Sequence, residues 1–182
     1  MNTDSSNARF LHPERVISNF NIKSGSMAAD FGAGAGFFSL PLARTVGDQG
    51  KVFAIDIQKD ALALIASKAR MEHLLNLEVV WGDLEIPNGS RLPDASIDFV
   101  IISNILFQVE QKGAIFQEAY RVIKPGGKCA VIEWDEIQFP GGPSAEMRIP
   151  KRLVQSLANS VRFIPDREFE AGSHHYGLLY KK

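Results

Sequence analysis

Three glycines at alternating positions, Gly32, Gly34 and Gly36, stand between two short apolar segments. Glycine lets a backbone turn tightly and lets a ligand lie directly against it. A helix that begins just after such a loop directs unpaired N–H groups and a partial positive charge toward the bound group. The pattern therefore predicts a strand, a ligand-binding loop and a helix, with a nucleotide-like molecule as the ligand.

Two common nucleotide motifs do not fit the spacing of this loop. A dinucleotide fingerprint requires Gly-x-Gly-x-x-Gly, and Phe37 stands where its third glycine would be. A phosphate-binding P-loop would continue with Gly-Lys-Ser or Gly-Lys-Thr, and no such sequence follows. Asp30, just before the glycines, would repel a pyrophosphate and attract an ammonium group. The loop is therefore expected to face a positively charged ligand, which argues against a nicotinamide-dependent oxidoreductase.

Acidic or amide residues stand at the ends of all five strands predicted before the last helix. In a doubly wound sheet, ligands bind beyond the carboxyl ends of the parallel strands, where the strand order reverses. The polar positions expected to meet at this edge are Asp30, Asp56, Asp83, Ser103-Asn104 and Glu133-Trp134-Asp135. The sequence therefore places its candidate site at one edge of a sheet.

Strand-like and helix-like segments alternate along the chain and would position these residues. Strands are predicted at Ser26–Phe31, Lys51–Asp56, Leu77–Trp81, Asp98–Ser103 and Lys128–Trp134. Helices are predicted at Pro13–Phe20, Phe37–Val46, Lys59–Glu72, Lys112–Ile123 and Ala145–Ser160, the last interrupted or restarted at Pro150. Two further strands, Arg167–Glu170 and His175–Tyr180, are close enough to form a hairpin and should be antiparallel.

These elements predict an α/β fold with three α/β/α layers. The sheet should be Rossmann-like and doubly wound, with seven mostly parallel strands and a C-terminal antiparallel hairpin. We expect residues 1–182 to form a single domain, with residues 1–9 disordered and the chain a monomer or weak homodimer.

The composition narrows the partners and the compartment. The net charge of −1 provides no basic field for nucleic acid or for an anionic membrane. A single cysteine, Cys129, excludes an intramolecular disulfide and is typical of a reducing compartment. The first residues lack the apolar core of a signal peptide, and no apolar run approaches membrane-spanning length. We therefore expect a cytoplasmic protein without a nucleic-acid or membrane partner.

The segment from Asp30 to Gly36 (Asp-Phe-Gly-Ala-Gly-Ala-Gly) resembles the first motif of class I S-adenosylmethionine-dependent methyltransferases. Four further blocks resemble motifs of that family in the same order: Val52–Asp56, Gly82–Leu84, Ile97–Ser103 and Arg121–Gly127. The resemblance extends from about residue 13 to the C-terminus. It is nearest to the quinone-biosynthesis-like and general small-molecule methyltransferase group.

The resemblance implies that S-adenosyl-L-methionine is the cofactor and S-adenosyl-L-homocysteine the product. Asp30 would contact the methionine ammonium, Asp56 the ribose hydroxyls, and Asp83 the adenine amino group. The Leu84 N–H would bind an adenine ring nitrogen, and the backbone at Ser103 and Asn104 would lie under the sulfonium. The implied cofactor-binding residues are Asp30, Gly32, Ala33, Gly34, Gly36, Phe37, Asp56, Ile57, Gly82, Asp83, Leu84, Ser103 and Asn104.

Catalytic groups are less clearly indicated. In methyl transfer from a sulfonium, the leaving group is a neutral thioether and needs no proton. A base is required only if the acceptor must lose one. By position, the candidates are Asn104, Glu133 and Asp135, with His174 or His175 more distant. No metal site is predicted, since adjacent strand residues such as the two histidines point to opposite faces.

The acceptor remains open at this point. The sequence Asn104-Ile105-Leu106-Phe107 is not the Asn/Asp-Pro-Pro-Tyr/Phe signature of amino-directed nucleic-acid and glutamine methyltransferases. A small molecule is favoured, while a protein side chain and a non-catalytic cofactor-binding subunit are the alternatives. Trp134 and Cys129 are expected in the core, and Asp98 is expected to be structural.

Overall fold

Strands and helices alternate along the chain in the computed structural model, which describes residues 11–137 and 141–182. The strands are β1 (Met27–Phe31), β2 (Lys51–Asp56), β3 (Leu77–Trp81), β4 (Ile97–Ser103), β5 (Ile123–Trp134), β6 (Ile164–Glu170) and β7 (His175–Lys181). The helices are α1 (Pro13–Ser18), α2 (Ser39–Val46), α3 (Lys59–Met71), α4 (Lys112–Val122) and α5 (Lys151–Ser160). The predicted disorder of residues 1–9 lies outside the described residues.

The seven strands form one sheet in the order β3-β2-β1-β4-β5-β7-β6. Strands β1 to β5 are parallel to one another, whereas β7 runs antiparallel to both β5 and β6. The order reverses between β1 and β4, which places the binding edge of a doubly wound sheet at the ends of these two strands. The predicted fold class, including the antiparallel C-terminal hairpin, is confirmed.

Helices cover both faces of the sheet, and residues 99–102 of the central strand β4 form a continuous apolar run. Its Phe99 and Ile101 pack with side chains of α1 and α2 in one buried cluster. Its Val100 and Ile102 face the other way and pack with Phe116 of α4 in a second cluster. This alternation produces the three layers that the sequence predicted.

Several boundaries differ from the prediction for identifiable reasons. Helix α2 begins at Ser39 rather than Phe37, because the left-handed conformation of Gly36 (φ 82°) still belongs to the loop. Strand β5 begins at Ile123, which pairs with Ile97 of β4. The register then shifts, and regular pairing with β4 resumes at Lys128. The helix expected at Ala145–Ser160 is a 3-10 turn (Ala145–Met147) followed by α5, which begins after Pro150.

The C-terminal hairpin also extends further than predicted, because β6 starts at Ile164 instead of Arg167. Pro165 has no N–H to donate to a neighbouring strand, and it is tolerated because β6 is the edge strand.

Asp98 is structural, as expected: its carboxylate accepts hydrogen bonds from the Met27 N–H and the Lys124 ammonium, both at 2.8 Å. Within the described ranges, no helix has the length and apolar character needed to cross a membrane.

Candidate active site

A cavity of about 430 Å³ opens at the carboxyl ends of β1, β4 and β5. This is the edge at which the strand order reverses, as expected for a ligand site. The cavity is lined by Leu11, Asp30, Gly32, Ala33, Gly34, Ala35, Phe37, Phe38, Ser103, Asn104, Gln108, Trp134 and His175. Most of the glycine loop therefore meets the end of β4 here, as the sequence predicted.

The glycines of the loop serve different purposes. Gly32, Gly34 and Gly36 all have positive φ angles, of 75°, 50° and 82°. A Cβ atom on Gly32 would lie 2.3 Å from the Ile105 side chain, so this glycine allows the loop to pack against the segment after β4. A Cβ on Gly34 would meet nothing within 4 Å. The backbone at Gly34 is therefore open to a ligand.

Two side chains hold the loop in place from neighbouring elements. Asp56, at the end of β2, accepts the Gly34 N–H at 2.8 Å through Oδ2 and the Gln58 N–H at 2.8 Å through Oδ1. Lys68 of α3 donates to the Ala35 carbonyl at 2.9 Å. A carboxylate can accept about four hydrogen bonds, so Asp56 has acceptor capacity left for a ligand hydroxyl.

Asp30 is a buried acid at the cavity wall, with 2% of its surface exposed. Burial raises the pKa of its carboxyl to about 7, and the nearby Asp56 charge adds to this rise. A hydrogen bond from the Ser39 hydroxyl at 2.6 Å lowers the pKa but does not offset the effect of burial. A cation placed beside Asp30 would favour its ionised form. The chemistry of this position fits an ammonium group.

The segment predicted to recognise adenine lies beside Asp56 but outside the cavity lining. The Gly82 N–H donates to the Asp56 carbonyl at 3.1 Å, and the Asp83 carboxylate accepts the Glu85 N–H at 3.0 Å in a tight turn. The Leu84 side chain is buried, whereas Ile57 is exposed. The structure thus brings these residues next to one another, and their roles toward a cofactor stay predictions.

The opposite end of the cavity is formed by side chains from three distant segments. Trp134 and His175 are register partners on β5 and β7, and their ring centroids are 4.2 Å apart. Asn104 has a left-handed φ of 53°, and its amide nitrogen lies 3.2 Å from His175 Nε2. Burial, with the charges of His174 and Arg148, lowers the pKa of His175 to about 4. His175 is therefore a neutral ring near pH 7.

The structure separates the four carboxylate and histidine candidates for a base. Glu133 has none of its surface exposed and accepts the Leu106 N–H at 2.8 Å, behind the cavity wall. Its neighbour Trp134 points to the other side of β5, because successive strand residues alternate. Neither Glu133 nor Asp135 lines the cavity, whereas Asn104 and His175 do.

Some contributors could not be identified from the sequence. Trp134 was expected in the core, yet it is half-buried and lines the cavity; its position at the end of β5 was the available signal. Ser39, which donates to Asp30, and Lys68, which supports the loop, carry no local motif. Cys129 is a free buried thiol in the core, as expected.

Comparisons with known proteins agree with this geometry. A family model described as a methyltransferase domain matches residues 22–171. The chain is similar to demethylmenaquinone methyltransferases: 35% identity over 120 residues with that of Oceanobacillus iheyensis, covering 65% of this chain and 48% of the relative. It is also 31% identical over 121 residues to the demethylmenaquinone methyltransferase of Geobacillus sp., covering 66% of this chain and 50% of the relative. The chain thus spans about half the length of the curated relatives it matches.

The fold of this chain is similar, over nearly the whole length of both chains, to that of a solved structure. It is a SAM-dependent methyltransferase from Aquifex aeolicus, with a TM-score of 0.86 and 29% sequence identity. The alignment covers 97% of this chain and 93% of that one.

Proposed function

The chain belongs to the class I S-adenosylmethionine-dependent methyltransferases, and on this premise we propose that it methylates a small-molecule acceptor of the quinone type. The observation that carries methyl transfer from S-adenosylmethionine is the open Gly34 backbone, whose N–H is bonded to Asp56 and which shares a cavity with Asp30. An open backbone between two acids matches a ligand that has both an ammonium group and vicinal hydroxyls.

Each end of the proposed donor site has a distinct task. Asp30 would hold the ammonium of the methionine part, and the Asp56 carboxylate would accept hydrogen bonds from the ribose hydroxyls. Gly34 would let the ligand rest on the loop. Asp83 and the Leu84 N–H are proposed to bind the adenine, because they follow β3 directly beside Asp56.

When bound, S-adenosylmethionine supplies a methyl group on a positively charged sulfur that leaves as a neutral thioether. The chain's own contribution is then mainly alignment of the acceptor. Asn104 is suited to this task, because its N–H donates to the Ile132 carbonyl at 2.9 Å and its carbonyl accepts from Gln108 at 2.9 Å. Apart from Asp30, His175 is the one titratable side chain among the described residues that line the cavity. With its pKa lowered to about 4 it is a weak base, and it is therefore our candidate for a hydrogen-bond acceptor rather than for a general base.

The acceptor class is supported by two arguments. The similar proteins named above are demethylmenaquinone methyltransferases, whose name specifies a quinone acceptor. The end of the cavity away from Asp30 is formed by a tryptophan and a neutral imidazole, which suit a ring better than a charged side chain.

Methyl transfer can be tested with methyl-labelled S-adenosylmethionine. The protein would be incubated with labelled cofactor and either a cell extract or reduced demethylmenaquinone. The extract would then be separated into an organic phase and a protein precipitate. We expect label in the organic phase and in the supplied quinol. The Asp56→Ala variant, at limiting cofactor, should transfer less label to both.

The other outcomes would contradict the proposal in distinct ways. Label in the protein precipitate alone would identify a protein acceptor. Bound cofactor without label in any fraction would identify a non-catalytic subunit.

A further inference from the structure

We propose that Trp134, His175 and Asn104 form the acceptor subsite, and that this subsite takes a flat, uncharged aromatic ring bearing a hydroxyl group. The assignment rests on the proposed function, since it specifies the acceptor at the far end of the same cavity. All three side chains line that cavity, and β4 separates the strands of Trp134 and His175 from β1, the strand of the buried acid Asp30.

The shape of the subsite is set by a fixed aromatic pair. The Trp134 and His175 rings stand 4.2 Å apart at an interplanar angle of 39°, on paired strands. Two further groups pack against the Trp134 ring. The Gly142 backbone lies so close that a Cβ there would be 2.7 Å from the ring, and the Arg148 guanidinium lies 5.8 Å from the ring centroid. A rigid aromatic wall loses little conformational entropy on binding and favours another flat ring.

The charge of the subsite excludes a cationic acceptor. His175 is neutral, because burial lowers its pKa to about 4. Arg148 has 5% of its surface exposed and places a buried positive charge behind Trp134, where it donates to backbone carbonyls of Asp135 and Pro143. The lining residues described at this end include no carboxylate. The Asp135 charge also acts on His175, in the opposite sense to Arg148, but Asp135 does not line the cavity. The lining side chains at this end therefore offer an amine no anionic partner, whereas a neutral ring needs none.

Asn104 provides the polar selectivity. Its amide nitrogen lies 3.2 Å from His175 Nε2, and this contact makes Nε2 the acceptor when the amide donates. Its Oδ1 is buried and has no hydrogen-bond partner among the described residues. A buried carbonyl oxygen without a donor is unfavourable, so a ligand that brings a donor is preferred. A ring hydroxyl is the donor compatible with the neutral aromatic wall.

The test uses two matched probes, naphthohydroquinone and its dimethyl ether, under reducing conditions and with saturating S-adenosylhomocysteine. Both probes have the same flat ring, but only the first has a hydrogen-bond donor. Calorimetric titration of the wild-type protein should show about tenfold tighter binding of the hydroquinone, the effect of one hydrogen bond. Equal affinities would overturn the role of Asn104, and tighter binding of butylamine than of either probe would overturn the uncharged assignment.

Two variants separate the ring from the hydroxyl. Asn104→Gly/His175→Phe keeps the left-handed backbone and removes both Asn104 Oδ1 and the His175 Nε2 acceptor that the lost amide would release, so it should abolish the preference for the hydroquinone. Trp134→Leu should weaken both probes by the same factor, while His73→Ala, an exposed residue after α3, should change neither. Unchanged probe affinities in Trp134→Leu would overturn the subsite.

The affinity for S-adenosylhomocysteine, measured first in each variant, distinguishes this proposal from the function on which it rests. Wild-type protein that fails to bind S-adenosylhomocysteine would contradict the proposed function. Normal binding of S-adenosylhomocysteine with no effect of either variant on the probes would contradict the acceptor subsite alone.

Discussion

The two ends of the active-site cavity are built in opposite ways. The end at Asp30 is made by one continuous loop, Gly32–Gly36, whose backbone is open to a ligand and is held by Asp56. The end at Trp134 is made by side chains that lie far apart in the sequence and meet only through the sheet. A backbone loop needs particular residue types at particular spacings, whereas a side-chain wall needs only that its strands pair in one register.

The ends also differ in charge. Asp30 is an acid whose pKa is raised to about 7 by burial, so a cationic ligand would complete its environment. His175 is a base whose pKa is lowered to about 4, mainly by burial, so its end of the cavity stays neutral. The same physical cause, loss of water, therefore favours the neutral form at both ends, and at the Asp30 end a bound cation would restore the charge of the carboxylate.

The largest effect on this contrast is expected from Asp56→Ala. Removing a charge-assisted hydrogen-bond acceptor costs about 1.5–3 kcal/mol, so the affinity for S-adenosylhomocysteine should fall by roughly one to two orders of magnitude. The affinity for naphthohydroquinone should change little, because Asp56 does not line the acceptor end. Calorimetry measures both. Asp60→Ala, an exposed acid of α3, is the matched control, and an unchanged affinity in Asp56→Ala would remove Asp56 from the site.

A second effect, on stability, is expected from Glu133→Gln beneath the acceptor end. Burial raises the pKa of Glu133 from 4.5 to about 7, so the folded protein holds a proton that the unfolded chain releases. The stabilisation by Glu133 is therefore complete below about pH 4.5 and is lost as the pH rises through about 7. Relative to Glu133→Gln, the wild-type free energy of unfolding should fall by about 2 kcal/mol between about pH 5 and pH 8.

Urea denaturation at the two pH values measures this difference. The exposed Glu146→Gln variant should follow the wild type. Parallel profiles for wild type and Glu133→Gln would show that Glu133 does not titrate in this range.

A smaller effect is expected from pH on cofactor affinity. Because the pKa of Asp30 is about 7 in the free protein, ammonium binding at lower pH must first release its proton. The dissociation constant for S-adenosylhomocysteine should therefore rise, by at most about tenfold per pH unit, as the pH falls below about 7. Asp30→Asn should bind more weakly and lose this dependence, whereas Glu133→Gln should keep it. A flat wild-type profile would place the ammonium away from Asp30.

The sequence predicted the donor end better than the acceptor end, for reasons visible in particular residues. Gly34 and Asp56 were singled out by residue type and local spacing, and the structure places them in hydrogen-bond contact; their roles toward a cofactor stay predictions. The doubly wound class of the sheet followed from the alternation of strands and helices and from the apolar run of β4, whereas the strand order itself came from the structure. Trp134, by contrast, reads as an ordinary apolar strand residue, because its exposure depends on the antiparallel pairing of β7.

Glu133 shows the complementary difficulty. An acid at the end of a strand predicted a group facing the ligand, but the alternation of side chains turns Glu133 toward Leu106 and its neighbour Trp134 toward the cavity. A shift of one residue in the strand would reverse this arrangement. Side-chain direction at a strand end was therefore beyond what residue type alone could determine.

A crystal structure of the protein with S-adenosylhomocysteine tests the central claim most directly. We predict the amino group of the ligand within hydrogen-bond distance of Asp30 and the ribose hydroxyls on the Asp56 carboxylate. The sulfur should face Asn104, with Trp134 and His175 beyond it and free of the ligand. A ligand whose ribose lies away from Asp56, or whose adenosine occupies the space beside Trp134 and His175, would contradict the division of the cavity into a donor end and an acceptor end.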